Sequence, residues 1–431
     1  MVVAAFLAAI AIGTLLLQLP LAYDGYRRVA FMDAVFSATS AVTVTGLGTF
    51  DIGQMSLFGE LVVLVLIQVG GFGIMTIGSL LALFASRRMG LRQRILAQAE
   101  LGAVDQGEMR HLVYGIAGIT AAIEVTVAII LATRLWIAHD VGMIPALYQG
   151  VFHSISAFNN AGISLWSEGL TPFVGDPIIT LAISGAFIVG GLGFPILVQF
   201  LRRTRPRNWS LHTRITLSGV ALLIVAGPLM IALFEWTNPD TLGPLDLGGK
   251  LLASWFQGVS PRTAGFATVN IAEMNEPTLL GVSALMFIGG GPASTAGGIK
   301  VTTFALLGFV LWSEVRGDTD INVFHRRLAP TVVRQAVTVV ILAIGSIVTV
   351  TLIILATTDV TLTPALFEST SAFATVGLST GLTPELPFLA KASLVLLMVA
   401  GRVGPTTLVT ALAYRQRLQT FRYPEDRPII G

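Results

Sequence analysis

Four glycines, Gly46, Gly162, Gly265 and Gly377, each close a short polar stretch that follows a Phe-x3-Ser pattern inside an otherwise apolar chain. The patterns are Phe36 with Ser40, Phe152 with Ser156, Phe256 with Ser260, and Phe367 with Ser371, the phenylalanines standing 116, 104 and 111 residues apart. Serine to glycine is six residues in three copies and five in the third, where Pro261-Arg262 replaces a three-residue stretch. The residues leading into the glycines are Thr43, Val44 and Thr45; Asn159, Asn160 and Ala161; Arg262, Thr263 and Ala264; and Ala374, Thr375 and Val376. The chemistry open to such turns is coordination by the backbone. Glycine permits conformations closed to other residues, so successive carbonyls can be aimed to one side. A ring of carbonyl oxygens can replace the hydration shell of an alkali cation. None of the four turns carries the carboxylates that a hard divalent ion demands, which favours a monovalent cation.

The elements that must position these turns follow from composition. With 54% hydrophobic and only 12% charged residues in 431, and a mean hydropathy of +0.80, the chain is an integral membrane protein; soluble domains carry about 25% charge. Crossing about 30 Å of hydrocarbon takes about 20 apolar residues. Uncharged stretches of that length run over 1–23, 61–86, 177–201, 215–234 and 335–358. Three more, 112–133, 277–312 and 392–414, carry one interior charge each: Glu124, Lys300 and Arg402. The first stretch has no basic leader and no small-residue cleavage site, so it is expected to be a true span rather than a signal peptide. The absence of cysteine excludes disulfides and thiolate metal sites.

Repeats at a fixed period decide architecture. Each unit reads as span, pore half-helix, glycine turn, span. The half-helices, over 31–41, 144–158, 250–260 and 364–373, are too short to cross and fit re-entrant segments. Irregular backbone at membrane depth is tolerated only where protein buries it or where it lines a wet cavity. The expected fold is therefore an all-α membrane protein of eight transmembrane helices, built as four tandem repeats around a central pore. The units are 1–86, 112–201, 215–313 and 331–414, with 415–431 as a cytosolic tail. Each half-helix would turn its partially negative C-terminus toward the membrane centre, a field that favours a cation.

Charge distribution sets the expected orientation. Of 26 Lys and Arg residues, 18 fall in the segments 87–110, 202–214, 316–334 and 415–427, each of which follows the second span of a unit. The positive-inside bias puts these segments, and hence both termini, in the cytoplasm. They flank spans and lack interleaved aromatics, which argues against nucleic acid as a partner; membrane lipid is the expected surrounding.

The third unit departs from the others. Its second stretch, 277–312, would be about 54 Å long as one helix. The middle, Gly289-Gly290-Gly291-Pro292-Ala293-Ser294-Thr295-Ala296-Gly297-Gly298-Ile299-Lys300, resists helix at its proline and five glycines. The expectation is a broken helix with a gating loop over 289–300 beneath the turns. A phosphate loop is excluded by the missing Gly-Lys-Ser/Thr and the missing strand.

Arg402, midway along the last stretch, needs partners, because a lone cation at that depth costs about 2.5–3.5 kcal/mol. The favoured reading has it hydrogen-bonded to carbonyls of the loop 291–298; pairing with Glu124 and snorkelling to lipid headgroups are the alternatives. Glycine clusters at Gly70, Gly190, Gly289 and Gly401 begin 24, 28, 24 and 24 residues after the turn glycines. In the first two units they read as close helix packing, with a hinge as the second choice. The slot after the repeated phenylalanine holds Ser37, His153, Gln257 and Glu368. Nothing in so varied a set reads as catalytic; Glu368 is read as half-helix packing, with collection of cations at the outer mouth as the alternative.

An enzyme is not expected. The repeat serines have no His or Asp in a repeated relationship, and the five histidines show no ligand spacing. A rocking secondary carrier would require inverted repeats with an odd number of spans per unit, whereas these units have two.

Together, the four turns, the Ser294-Thr295-Ala296-Gly297-Gly298-Ile299-Lys300 loop and the Gly401-Arg402-Val403-Gly404-Pro405 motif resemble the superfamily of Trk, Ktr and plant and fungal high-affinity (HKT) potassium transporters. The resemblance covers nearly the whole chain. The ending Arg422-Tyr423-Pro424-Glu425-Asp426 with Ile429-Ile430-Gly431 is similar to that of bacterial Ktr-type membrane subunits, and the two extra N-terminal spans usual in Trk relatives are not expected here. The resemblance implies a K+-selective pore with one filter glycine per unit, whose gate comprises Gly290, Gly291, Pro292, Ser294, Thr295, Ala296, Gly297, Gly298, Lys300 and Arg402. It further implies Na+-stimulated uptake, a homodimer, the bacterial cytoplasmic (inner) membrane, and a cytosolic ring of RCK-type nucleotide-binding regulatory subunits. The chain itself has no dinucleotide fingerprint and is expected to hold no organic cofactor.

Overall fold

The computed structural model describes residues 2–23, 29–87, 106–203, 205–318 and 320–414. The basic segment 88–105, the pair Arg27 and Arg28, and the tail with its Arg422 to Gly431 motif lie outside the described residues. Helices dominate: a long helix, a short helix and a further helix succeed one another four times. The first set is α1 (Val2–Leu17), α2 (Phe31–Thr43) and α3 (Leu57–Arg87). The second is α4 (Gln106–Ala138), α5 (Met143–Phe158) and α6 (Pro177–Leu192), continued by α7 (Phe194–Leu201). The third is α8 (Leu211–Glu235), α9 (Leu247–Val259) and α10 (Glu276–Phe287), continued by α11 (Val301–Arg316). The fourth is α12 (Pro330–Thr357), α13 (Leu362–Ala374) and α14 (Phe388–Tyr414). Among the described residues the only strands are β1 (Asn322–Val323) and β2 (Arg326–Arg327), an antiparallel pair.

Three stretches, Val113–Ala138, Leu211–Glu235 and Pro330–Thr357, are single helices long and apolar enough to cross a membrane. Their outward faces carry exposed Ile129, Leu229 and Ile341, as a helix turned to lipid requires. The stretch 177–201, expected as one span with close packing at its glycines, is instead two helices bent by 101° at Gly193. Gly193 has φ +97°, and Pro195 in the first turn of α7 has no N–H with which to continue a helix. The packing expectation does hold for Gly190, where a Cβ would stand 2.0 Å from the carbonyl oxygen of Phe158. The 277–312 stretch is broken as its glycines and proline require: α10 ends at Phe287 and α11 begins at Val301.

Packing between the sets follows one direction. Helix α3 packs on α5, α6 on α9, α10 on α13, and α14 returns to α2. An ion pair, Lys391 Nζ to Asp33 Oδ1 at 2.9 Å, clips the last contact. The repeated phenylalanines are fully buried, and each enters the apolar cluster of the set before its own. Phe152 lies among α1 to α3 residues, Phe256 among α4 to α6, Phe367 with residues of α8 and α10, and Phe36 with residues of α12 and α14. The recurrence of Phe therefore has a packing cause: one aromatic per set ties it to its neighbour.

Two carboxylates organise loop ends. Glu235 accepts hydrogen bonds from Asn238 Nδ2 (2.7 Å), Thr241 Oγ1 (2.7 Å), the Asn275 N–H (2.9 Å) and Thr278 Oγ1, joining the end of α8 to the start of α10. Asp176 caps α6 by accepting from the N–H groups of Ile178 and Ile179, and also receives Arg134 Nε (2.8 Å) and His139 Nε2 (2.9 Å). Burial works against this carboxylate, but the His139 and Arg134 donors and the two backbone N–H groups outweigh it and hold its pKa below the ordinary value. A depressed folded-state pKa means stabilisation that is complete above the unfolded value and lost as pH falls through the folded one. Thermal unfolding in detergent at pH 7 should show Asp176→Ala losing about 0.5–2 kcal/mol from the cap alone. Asp176→Asn keeps a competent cap and should retain most of that stability, while flattening the acid limb of the pH profile.

Candidate functional site

The four turns share one backbone design. Past the end of each short helix, two residues before the glycine, stands a residue of left-handed conformation: Val44 (φ 55°), Asn160 (60°), Thr263 (67°) and Thr375 (51°). The glycines follow at φ +95°, +64°, +75° and +93°. Non-glycine residues seldom adopt positive φ, and one to three kcal/mol of strain is typical. The residue between the two left-handed positions is tied back to the repeat serine. The N–H groups of Thr45, Ala161, Ala264 and Val376 donate to the carbonyls of Ser40, Ser156, Ser260 and Ser371 at 2.7–3.0 Å. The third unit makes this bond across one residue fewer, so its shorter sequence reaches the same turn.

The serine hydroxyls finish the brace in two ways. Those of Ser40 and Ser371 accept from the N–H of Gly46 (3.0 Å) and Gly377 (3.1 Å). Those of Ser156 and Ser260 donate to the carbonyls just past the glycine, Ile163 and Phe266. Side-chain identity at this position is thus explained by the turn it holds.

The turns meet one another. A Cβ built on Gly46 would lie 2.3 Å from the carbonyl oxygen of Ala161, one on Gly162 2.7 Å from that of Ala264, one on Gly265 2.4 Å from that of Val376, and one on Gly377 2.3 Å from that of Thr45. Each glycine faces the carbonyl preceding the next glycine, and the fourth closes on the first. All the side chains named for the four turns are buried, Arg262 among them. Only glycine fits at the four contacts, since any side chain would collide with backbone.

Beneath the ring, on the side where the short helices end, lies the loop 288–300. It is pinned along its length: the Gly291 N–H donates to the Gly191 carbonyl (2.8 Å), the Thr295 N–H to that of Gly190 (3.3 Å), and the Phe194 N–H to that of Ala293 (3.1 Å). The Ser294 hydroxyl donates to the Gly291 carbonyl at 2.6 Å. Thr295 Oγ1 stands 2.8 Å from the Asn160 side-chain amide, which also meets Thr263 Oγ1 at 3.3 Å. Gly297 approaches Thr375 so closely that a Cβ would lie 2.1 Å from its hydroxyl, and Gly298 abuts Ala374. Gly290 abuts the Gly191 carbonyl, and a Cβ on Gly193 would lie 2.4 Å from the Pro292 carbonyl. Lys300 Nζ donates to the Ala296 carbonyl, and Arg402 Nη1 to that of Thr295. Arg402, on α14, is therefore bonded to the loop and not to Glu124.

Glu124 has other partners, and sequence reading missed one of them. It accepts from Gln68 Nε2 (3.3 Å) and Asn159 Nδ2 (3.1 Å), and Asn159 Nδ2 also donates to Gln68 Oε1 (2.8 Å). A polar triad from α3, α4 and the second turn thus stands behind that turn. Gln68 occurs singly in an apolar run and has no counterpart in the other units, so no pattern announced it.

Residues 1–418 match the TrkH family of cation transport proteins. The Ktr system potassium uptake protein B of Bacillus subtilis (strain 168) is 39% identical over 99% of this chain and 95% of its own length. Its namesake in Vibrio alginolyticus is 37% identical over 99% and 93%. The crystal structure of the potassium transporter TrkH from Vibrio parahaemolyticus has the same fold, with a TM-score of 0.71 at 20% identity over 95% of this chain and 85% of that one. The chain belongs to the TrkH family of cation transport proteins and is a helical membrane protein.

Asn159→Ala leaves Glu124 and Gln68 without their shared partner. Removing one member of a buried polar group costs about 1–3 kcal/mol. Thermal unfolding in detergent should report that loss, and Gln68→Leu in the same background should add less than it does alone.

Proposed function

We propose that this protein is the pore-forming membrane subunit of a Ktr-type bacterial potassium uptake system. The observation that carries the reading is the closed succession of four glycine turns, each glycine against the carbonyl that precedes the next. In this reading the four sets of helices are four pore repeats, and their two crossing elements apiece make eight spans in the cytoplasmic (inner) membrane. K+ sheds water at the turns because carbonyl oxygens there stand in for its hydration shell. The C-terminal ends of α2, α5, α9 and α13 supply a negative field on the inner side.

The loop 288–300 acts as the gate. It occludes the path below the turns, and Arg402 and Lys300 hold it there through the carbonyls of Thr295 and Ala296. A charged group buried at membrane depth gains most from such bonds while closed, and opening must replace them with water. Control comes from a separate cytosolic ring of RCK-type nucleotide-binding subunits, which docks on the basic cytoplasmic segments of a homodimer. Support for a partnered system comes from the Bacillus subtilis relative, which is named as a component of a Ktr system. Na+ stimulates uptake, and both termini face the cytoplasm.

Cells lacking their own K+ uptake systems test the reading. Expression of the native chain with a Ktr-type regulatory subunit should restore growth and tracer uptake at low K+, more strongly with Na+ present. Arg402→Ala should raise flux through the membrane subunit when the regulatory subunit is left out. No restored uptake would contradict the function, and an Arg402→Ala flux equal to the native one would contradict the latch.

A further inference from the structure

The slot after the repeated phenylalanine, varied in residue type, has one geometry in three units. His153 Nδ1 lies 2.8 Å from the Gln149 carbonyl and therefore carries the proton. That leaves Nε2 to accept from Ser164 Oγ (3.0 Å) and the Leu165 N–H (3.3 Å). Gln257 Oε1 accepts from the Thr268 N–H at 3.3 Å. Glu368 Oε1 accepts from Ser379 Oγ (2.5 Å) and the Thr380 N–H (2.9 Å), while its Oε2 takes Thr383 Oγ1 at 2.7 Å. All three side chains are buried. The backbone N–H reached lies three residues past the glycine in each case, at 165, 268 and 380, and in two units the serine hydroxyl just before it, Ser164 or Ser379, is reached as well. Imidazole, amide and carboxylate share one property used here, an acceptor four bonds from Cα, directed at the backbone just past the glycine.

The first unit breaks the pattern. Ser37 and Gly48 occupy the corresponding positions, and the Ser37 hydroxyl is buried without a hydrogen-bond partner. A cavity of about 220 Å3 opens there, bordered by Ser37, Gly48 and Ser164. A serine is too short to reach, and glycine offers no side chain to meet it.

We propose that His153, Gln257 and Glu368 are positioning residues that anchor the outer exit of their glycine turns and thereby set cation discrimination, and that the first turn, lacking an anchor, is the compliant one. The inference rests on the pore reading for its link to selectivity, but the anchoring itself does not. A carbonyl ring discriminates by the number and placement of its dipoles. Chain held on both sides of the glycine keeps those dipoles fixed. The serine carbonyl holds the inner side in all four units, whereas a side-chain acceptor from the slot holds the backbone N–H on the outer side in three.

Two readouts on the full-length protein in liposomes separate the steps. Hydrogen exchange should rise at 163–166 in His153→Ala and at 266–269 in Gln257→Leu, stay near native in His153→Gln and Gln257→Glu, and not change at 47–50 in Ser37→Ala. The ratio of K+ to Na+ flux should fall roughly two- to tenfold in His153→Ala and Gln257→Leu, the factor equivalent to one hydrogen bond, and recover in the conservative variants. Unchanged exchange in both truncations would overturn the anchoring. Raised exchange with a native flux ratio would overturn the role in selectivity. A native chain that passes no K+-selective flux would refute the pore reading instead, and the exchange result would still decide the anchoring.

Discussion

Everything in this molecule is arranged around backbone meeting backbone at four glycines. Gly46, Gly162, Gly265 and Gly377 each occupy a left-handed conformation and stand where a single added carbon would strike the next turn's carbonyl. Four such contacts in a membrane require that every N–H and C=O nearby find a partner within the protein, since lipid offers none. The short helices supply it. Each delivers a serine whose carbonyl and hydroxyl hold the turn, and a phenylalanine that anchors the helix in the neighbouring set. The long helices are mainly apolar, and three of their polar residues, Gln68, Glu124 and Arg402, meet the second turn or the loop.

Much of this was legible in the chain because repetition exposes constraint. The short helix expected over 31–41 runs to Thr43, and that expected over 364–373 runs from Leu362 to Ala374. The interruption of 277–312 was legible because proline and a cluster of glycines contradict a helix wherever they fall. What was not legible depended on contacts between distant segments. The bend at Gly193 had its signals in Gly193 and Pro195, but these sat in an apolar run whose length alone satisfied a single span. Gln68 and Asp176 act through partners 56 and 42 residues away, and no spacing within their own helices marks them. The slot held by His153, Gln257 and Glu368 misled for another reason: the shared property is an acceptor at a given reach, which residue type conceals.

The bend and the loop belong together physically. Gly193 lies against the Pro292 carbonyl, and the Phe194 N–H donates to that of Ala293, so α7 can leave the line of α6 only where the loop receives it. The same loop is gripped from the opposite side by Arg402. In the proposed pore, any movement of residues 288–300 must therefore break bonds to α6, α7 and α14 at once. That makes two discrete positions more natural than a graded one, because tightly packed interiors respond to strain by switching between arrangements.

The central claim is that the four glycine turns form one ring through which the cation passes. Gly265 tests it most directly, because a Cβ there would lie 2.4 Å from the Val376 carbonyl oxygen and disturb two turns together. Parallel K+ and Na+ tracer uptake should be measured for the native chain and Gly265→Ser, at matched amounts of folded protein in the membrane. The account predicts a clear loss of K+ preference in the variant. Equal preference and equal flux in both would mean that the third turn lines no ion path, and the ring would have to be read as packing alone.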